Sequence, residues 1–337
     1  MKKLSLIALA AAVAISSAAA KEIKIGVVLP ITGAVAAYGQ TAWAGIKLAN
    51  KLEPTLKNGD TITLVLVDNK GDKVETATAT TRLVSEDKVS GLIGAMVTGN
   101  TQQVLQIADE KKVPMIAPAA TADKLLDRAK YGARVTFMDS FQGTSFASWA
   151  VSQNMKTAVL VVDQSTSYSI GLARAFKKEF EKQGGKLLKE LKISSGDKDF
   201  KAIVSQINSL NPDLVYMPFY HPEAALLVRQ ARQIGVKSQF ASGDGVSNDT
   251  FIELASDASN GYLYTDAFDS SNPPTAKSKA FVEAYAKENG DMPKSKELNK
   301  EAVAAYNEVT NSITPLLSNC RKTLTAASIF RVSFGFN

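Results

Sequence analysis

Apolar and polar positions change period along the chain in a regular way. Near the start, four short runs are almost continuously apolar and rich in β-branched residues: "IKIGVVLP" (23–30), "TITLVLVD" (61–68), "VSGLIGAM" (89–96) and "VPMIAP" (113–118). Between them, "GQTAWAGIKLANKL", "VETATATTRLVSEDK" and "TQQVLQIADEKK" bring back an apolar residue every three or four positions, the spacing of an amphipathic helix. Strands that are apolar along their length are buried on both faces. The alternation therefore predicts a parallel sheet covered by helices on either side.

The rhythm restarts after Ser140. Strands are expected at "TAVLVVD" (157–163), "KLLKELKIS" (186–194), "DLVYMPF" (213–219), "SQFASG" (238–243) and "GYLYTD" (261–266), with helices near 169–183, 199–210 and 222–234. Two such runs make two doubly wound lobes more readily than one long sheet. Breaks at "FMDSFQG" and at the proline-bearing "DSSNPPTA" (269–276) mark the crossings between them. The expected division is 21–138 plus about 269–315 for lobe one and 139–268 for lobe two.

The first twenty residues, "MKKLSLIALAAAVAISSAAA", join two lysines to a short apolar run and an Ala18-x-Ala20 ending. That order reads as a secretory signal peptide, which leaves Lys21 as the first mature residue and places the protein in the periplasm. Cys320 is the only cysteine, so no intrachain disulfide is expected, and a chain of 337 residues is long enough for about two domains held by core burial. The formal charge of +6 lies at the ends. Without Lys2, Lys3 and the acid-free stretch 318–337 the body has 34 basic and 33 acidic residues, an ordinary solvated surface that does not point to nucleic acid.

Catalytic signatures are scarce. His221 is the only histidine, which argues against a histidine-based metal site and leaves one ring for any Ser-His-Asp triad. There is no G-x-S-x-G elbow and no GK[ST] phosphate loop. "DNKGD" (68–72) lacks the closing glutamate of a calcium loop and reads as a solvated turn. Neither an enzyme nor a cofactor is expected.

Ligands of open α/β sheets sit at the carboxyl ends of strands, beside helix N-termini. In lobe one those ends carry Thr98 and Thr121, the latter after the bare Ala119 and Ala120. Free amides at a helix start favour an anion, and small side chains let a ligand approach the backbone. Lobe two offers Tyr168, Tyr220 and Asp244; rings can wall an apolar pocket, and Asp244 can pair with an ammonium. Each also has a plainer use: helix capping for the threonines, loop packing for the tyrosines, and a glycine-flanked turn for Asp244. Taken together they describe a site for a small zwitterion with an apolar side chain.

At these residues the chain resembles a known family. "VVLPITGAVAAYGQTAWAGIKLA", "GAMVTGNTQQVLQIA", "PMIAPAATADKL", "SYSIGLARAF", "YHPEAALLVRQARQIG" and "ASGDGVSND" are similar to the periplasmic branched-chain amino acid binding proteins, the substrate-binding components of Leu/Ile/Val-type ABC importers. The match runs in order from about Lys21 to Thr310. It implies a type I periplasmic binding fold, a ligand held between closing lobes, a monomer, and delivery to a membrane permease. By the same resemblance Thr98 binds the ligand carboxylate through side chain and amide. Ala119 gives a carbonyl, and Thr121 a hydroxyl, to the ammonium; the Thr121 amide meets the carboxylate. Tyr220 adds a hydroxyl and Asp244 pairs with the ammonium. Tyr38, Met96, Val97, Ala120 and Tyr168 match side-chain pocket positions.

Two departures stand out. Asp244 is one methylene shorter than the glutamate common in the leucine-type pattern, which leaves specificity open. After "EAVAAYNEVT" the ending "NSITPLLSNCRKTLTAASIFRVSFGFN" does not follow the family, and residues 316–337 read as a divergent, truncated or frameshifted tail. The rival expectations are a periplasmic sensor of the same fold, a secreted α/β enzyme and a non-functional truncated product.

Overall fold

Continuous apolar β-branched runs become strands close to their expected positions. The computed structural model describes residues 20–289. The expected signal peptide up to residue 19, the expected end of lobe one beyond 289, and the 316–337 tail with Cys320 lie outside the described residues.

In chain order the first lobe is built from β1 (Glu22–Leu29), α1 (Ala36–Leu52), β2 (Thr61–Asp68), α2 (Lys73–Ser85), β3 (Gly91–Gly94), α3 (Thr98–Lys111), β4 (Met115–Ala117) and β5 (Gly132–Arg134). The second comprises α4 (Asp139–Ser152), β6 (Thr157–Asp163), α5 (Ser167–Lys182), β7 (Lys186–Ile193), α6 (Lys201–Leu210), β8 (Leu214–Tyr216), α7 (His221–Gln233), β9 (Gln239–Ser242), α8 (Asp249–Ala255) and β10 (Leu263–Tyr264). A last helix, α9 (Ala276–Asn289), returns to α1, where Lys51 pairs with Glu288 at 2.6 Å and Lys277 with Glu53 at 3.4 Å.

Each sheet has five strands, ordered β2-β1-β3-β4-β5 and β10-β9-β8-β6-β7. Their ladders are parallel. These are the two doubly wound parallel-sheet lobes that the sequence implied. Strand order reverses beside β1 and again beside β6. At such switch points the connections diverge to opposite faces and leave a crevice at the strand ends.

Both faces of each sheet are packed. In the second lobe Val159, Val161, Val215 and Phe240 form one side with α6 and α7, and Leu160, Tyr216, Phe146, Phe176 and Phe180 form the other with α4 and α5. The first lobe divides likewise between the Val28, Leu83, Leu92 and Val104 cluster and the Ile25, Val27, Leu29 and Ile93 cluster.

Some elements differ from expectation. The strands read at 89–96 and 213–219 shorten to β3 and β8, because their carboxyl ends leave the sheet for the crevice. β5, α8 and α9 were not expected. "FMDSFQG", read as a crossing, does carry the chain between sheets, but as the start of the 14-residue helix α4. "DNKGD" is a turn: Asp68 accepts from the Ile31, Thr32 and Lys70 amides, and Asp72 caps α2 by accepting from Val74 and Glu75.

Candidate functional site

The first-lobe wall is made by the chain leaving β3 and β4. Past β3 the backbone turns through Ala95 and Met96 to Val97, whose extended conformation opens α3 without any side-chain cap. The Thr101 hydroxyl donates to the Ala95 carbonyl at 2.9 Å and pins the turn. Thr98 is therefore the first helical residue, three positions before the helical stretch that starts at Thr101 in the sequence, and does not cap the helix. Its N–H bonds the Tyr220 hydroxyl of the other lobe. Past β4, Ala119, Ala120 and Thr121 lead to a short helical turn opened by Ala122, again with no side-chain cap. Neither threonine hydroxyl is spent on capping; that of Thr121 bonds the Asp139 carboxyl.

The second-lobe wall follows β6, β8 and β9. Tyr168, in the first turn of α5, stacks on Tyr220 at a centroid distance of 5.1 Å and an angle of 10°. Its hydroxyl donates to Asp244 Oδ1 at 3.0 Å and accepts from the Gly245 N–H at 3.0 Å. Tyr38, from α1, meets Tyr220 edge-on at 6.0 Å and His221 at 4.9 Å. The Tyr38 hydroxyl donates to the Gly245 carbonyl and accepts from the His221 N–H, so one phenol ties the two lobes together.

Glycines flank Asp244 for reasons of space. Gly243 is extended, and Gly245 lies within a short helical turn that needs no positive φ. A Cβ at Gly245 would stand 2.5 Å from the Phe219 carbonyl oxygen and 3.1 Å from the Tyr168 hydroxyl. Gly245→Ala must then displace backbone, and is expected to cost about 1–3 kcal/mol of stability in denaturant titration. A loss below about 0.5 kcal/mol would mean that the loop moves freely.

All ten residues singled out in the sequence line one cavity of about 60 Å³: Tyr38, Met96, Val97, Thr98, Ala119, Ala120 and Thr121 from the first lobe, and Tyr168, Tyr220 and Asp244 from the second, joined by Gly245. A wider recess of about 470 Å³ shares Val97 and Tyr220 with it and carries Lys70, Lys73 and Glu223. The cavity is polarised. Thr98, at the start of α3 that no side chain caps, lines one side and the Asp244 carboxyl the other, and apolar residues and tyrosine rings complete the lining. Burial raises Asp244 above the usual carboxylate range, against hydrogen bonds from Gln142 and Tyr168. Burial also keeps the Tyr38, Tyr168 and Tyr220 phenols protonated. His221 lies outside the lining, and burial holds it down to about 4, so it is neutral at physiological pH.

Sequence reasoning missed Asp139 and Gln142. Both lie in the first turn of α4, with Asp139 0% and Gln142 2% exposed. Gln142 Nε2 donates to Asp139 Oδ1 at 3.2 Å and to Asp244 Oδ1 at 2.9 Å. Its Oε1 accepts from the Thr265 hydroxyl at 2.6 Å and the Asp244 N–H at 3.4 Å. Asp244 has no carboxyl neighbour in the local sequence; the fold gives it one. Among the described residues, no cluster of three His, Cys, Asp or Glu is placed to hold a metal ion, and no helix is long and apolar enough to cross a membrane.

Known proteins share this architecture. The family model of the periplasmic binding proteins matches residues 22–311. The Leu/Ile/Val-binding protein BraC3 of Rhizobium johnstonii is 33% identical over 286 residues, covering 83% of this chain and 77% of that protein. The solved leucine-binding protein LivK of Thermotoga maritima superposes with a TM-score of 0.78 at 36% identity, covering 87% of this chain and 83% of the other. The branched-chain amino acid transporter substrate-binding protein LivJ of Streptococcus pneumoniae, solved with isoleucine, gives a TM-score of 0.77 at 29% identity, covering 93% and 88%. With its two parallel-sheet lobes and the cavity at their strand ends, the chain belongs to the periplasmic binding protein family.

Proposed function

We propose that the protein captures a branched-chain or other apolar amino acid between its lobes, outside the cytoplasm, and delivers it as a monomer to a membrane ABC permease. The observation that carries this reading is the polarity of the cavity. Thr98, at the helix start that no side chain caps, stands on one wall and Asp244 on the other, with Met96, Val97, Ala120 and tyrosine rings completing the lining. A zwitterion satisfies both walls at once, whereas a sugar leaves Asp244 without a cation and a dicarboxylate places an anion among apolar atoms.

In this reading Thr98 takes the ligand carboxylate through amide and hydroxyl, the Thr121 amide joins it, and the Tyr220 hydroxyl, now on the Thr98 amide, turns to it. Asp244, the Ala119 carbonyl and the Thr121 hydroxyl take the ammonium. Ala119 and Ala120 are bare because the ligand reads backbone there. The three relatives named above, a Leu/Ile/Val-binding protein, a leucine-binding protein and a protein solved with isoleucine, support this assignment. Lobe one (21–138 with the return from about 269) and lobe two (139–268) would open and close about the crossings near 139 and 268. Ligand contacts from both sides favour the closed form that a permease reads.

Thermal unfolding of the chain without residues 1–20 tests the assignment. Leucine, isoleucine or valine at about 100 times its dissociation constant should add about 2.7 kcal/mol, a midpoint shift of a few degrees. Glucose and aspartate should leave the midpoint where it was. A shift from the sugar or from aspartate, with none from the apolar amino acids, would contradict the proposal.

A further inference from the structure

The reading above leaves a second buried carboxyl unused. Asp139 opens α4, is fully buried, and has an Oδ2 that meets no hydrogen-bond donor. Its backbone N–H donates to the Thr121 carbonyl at 2.9 Å, and its carboxyl bonds the Thr121 hydroxyl. Through Gln142 Nε2 it is joined to Asp244. Gln142 also holds Thr265, just past β10 where the chain runs back toward the first lobe. A single amide thus links Asp139, whose N–H holds the first-lobe Thr121 carbonyl, with the second-lobe site residue Asp244 and with Thr265 on the returning stretch.

We propose that Asp139 and Asp244, bridged by Gln142, form a buried carboxyl pair that shares one proton, and that the ammonium of a bound amino acid expels that proton. This rests on the amino-acid reading of the cavity. Two buried carboxyls bridged by one amide nitrogen disfavour double ionisation when no cation is between them, and an ionised Asp139 would leave one oxygen buried with no donor. Burial followed by the neighbouring Asp244 charge pushes Asp139 up to about 7, against the opposing bond from Thr121. Arg134 is a cation within electrostatic reach of Asp139, but its guanidinium hydrogen-bonds elsewhere, to the Ala122 and Asp123 carbonyls at 2.8 and 3.4 Å. Asp123 and Asp266 add negative charge, and the neighbouring Tyr168, Tyr216 and Tyr220 phenols stay protonated. When an ammonium arrives at Asp244, the second negative charge becomes tolerable. The proton leaves to solvent, and the complex holds two carboxylates and one ammonium.

The sign follows from this balance. Binding releases a proton where the free pair is partly protonated, so affinity rises with pH, by up to about tenfold per unit at full release, and levels off once the free pair is ionised. Titration calorimetry of leucine near pH 7, in two buffers of different ionisation enthalpy, reads this directly. The wild-type protein should release a substantial fraction of one proton. Asp139→Asn keeps the shape and the bond to Gln142; it should still bind leucine, with little proton exchange and a flat affinity between about pH 6 and 8. Its unfolding midpoint should also gain on wild type as pH rises from about 4 to 7, because asparagine has no charge to bury. Leucine binding with no proton exchange, or with uptake, would overturn the pair while leaving the amino-acid site intact. So would an Asp139→Asn protein that releases protons as wild type does. If the wild-type protein bound no apolar amino acid, both the site assignment and the pair would fall.

Discussion

Replacing Asp244 with alanine is expected to weaken leucine binding by several hundred-fold or more. The carboxylate is the charged group of the cavity lining, in the wall opposite Thr98, and it is held in place by Tyr168 and Gln142 at 3.0 and 2.9 Å. In Asp244→Ala the ligand ammonium would enter a buried site with only carbonyl and hydroxyl oxygens to meet it. Removing one partner of a buried ion pair costs about 3–5 kcal/mol, mostly through the charge left behind. Asp244→Asn separates charge from shape: it keeps a side chain that Gln142 and Tyr168 can hold, yet should lose most of the same affinity. Titration calorimetry decides. An affinity within about threefold of wild type in either variant would remove Asp244 from the site.

The largest expected effect on stability lies in the second lobe. Phe176, 0% exposed on α5, stacks on Tyr216 of β8 at 4.1 Å and on Phe180 at 5.1 Å, with Phe146 of α4 at 6.1 Å. Phe176→Ala removes a ring enclosed on every side, in a cluster that joins two helices to a central strand and leaves little room for collapse. The expected cost is about 3–5 kcal/mol, the sum of lost transfer, lost ring contacts and an unfilled cavity. Urea titration should show a lower midpoint with an unchanged slope. A loss below about 1 kcal/mol would show that α4 and α5 re-pack, and that the cluster is not what fixes Tyr168 against Asp244.

Where sequence reading succeeded, the signal was local. β1, β2 and β6 are short, almost continuously apolar runs rich in β-branched residues, and the strand-end loops follow directly from them. Placing the strand ends places the crevice, so Thr98, Thr121, Tyr168, Tyr220 and Asp244 could be picked without knowing their contacts. Helix α4 failed for a specific reason. Its buried stripe is Asp139, Gln142, Gly143, Phe146, Ala147 and Ala150, a regular helical period whose first three members are not hydrophobic. Hydrophobic periodicity misses a buried face when polar residues begin it, and such a face is where a functional role is found. The proximity of Asp139 to Asp244 was likewise hidden: Gln142 reaches Asp244 across 102 positions, through a turn fixed only by tertiary packing. The short β5 carries too few residues for any period to register.

The central claim is that both charges of an α-amino acid are read at once, one by each wall of the cavity. Calorimetric titration with leucine, with its α-keto acid, which lacks the ammonium, and with isoamylamine, which lacks the carboxylate, tests it most directly. The expected result is leucine binding with each single-charge analogue at least ~100-fold weaker, since each leaves one polar wall of the closed cavity unpaired. Equal affinity for leucine and its α-keto acid would contradict the claim, because Asp244 would then face no cation in the complex.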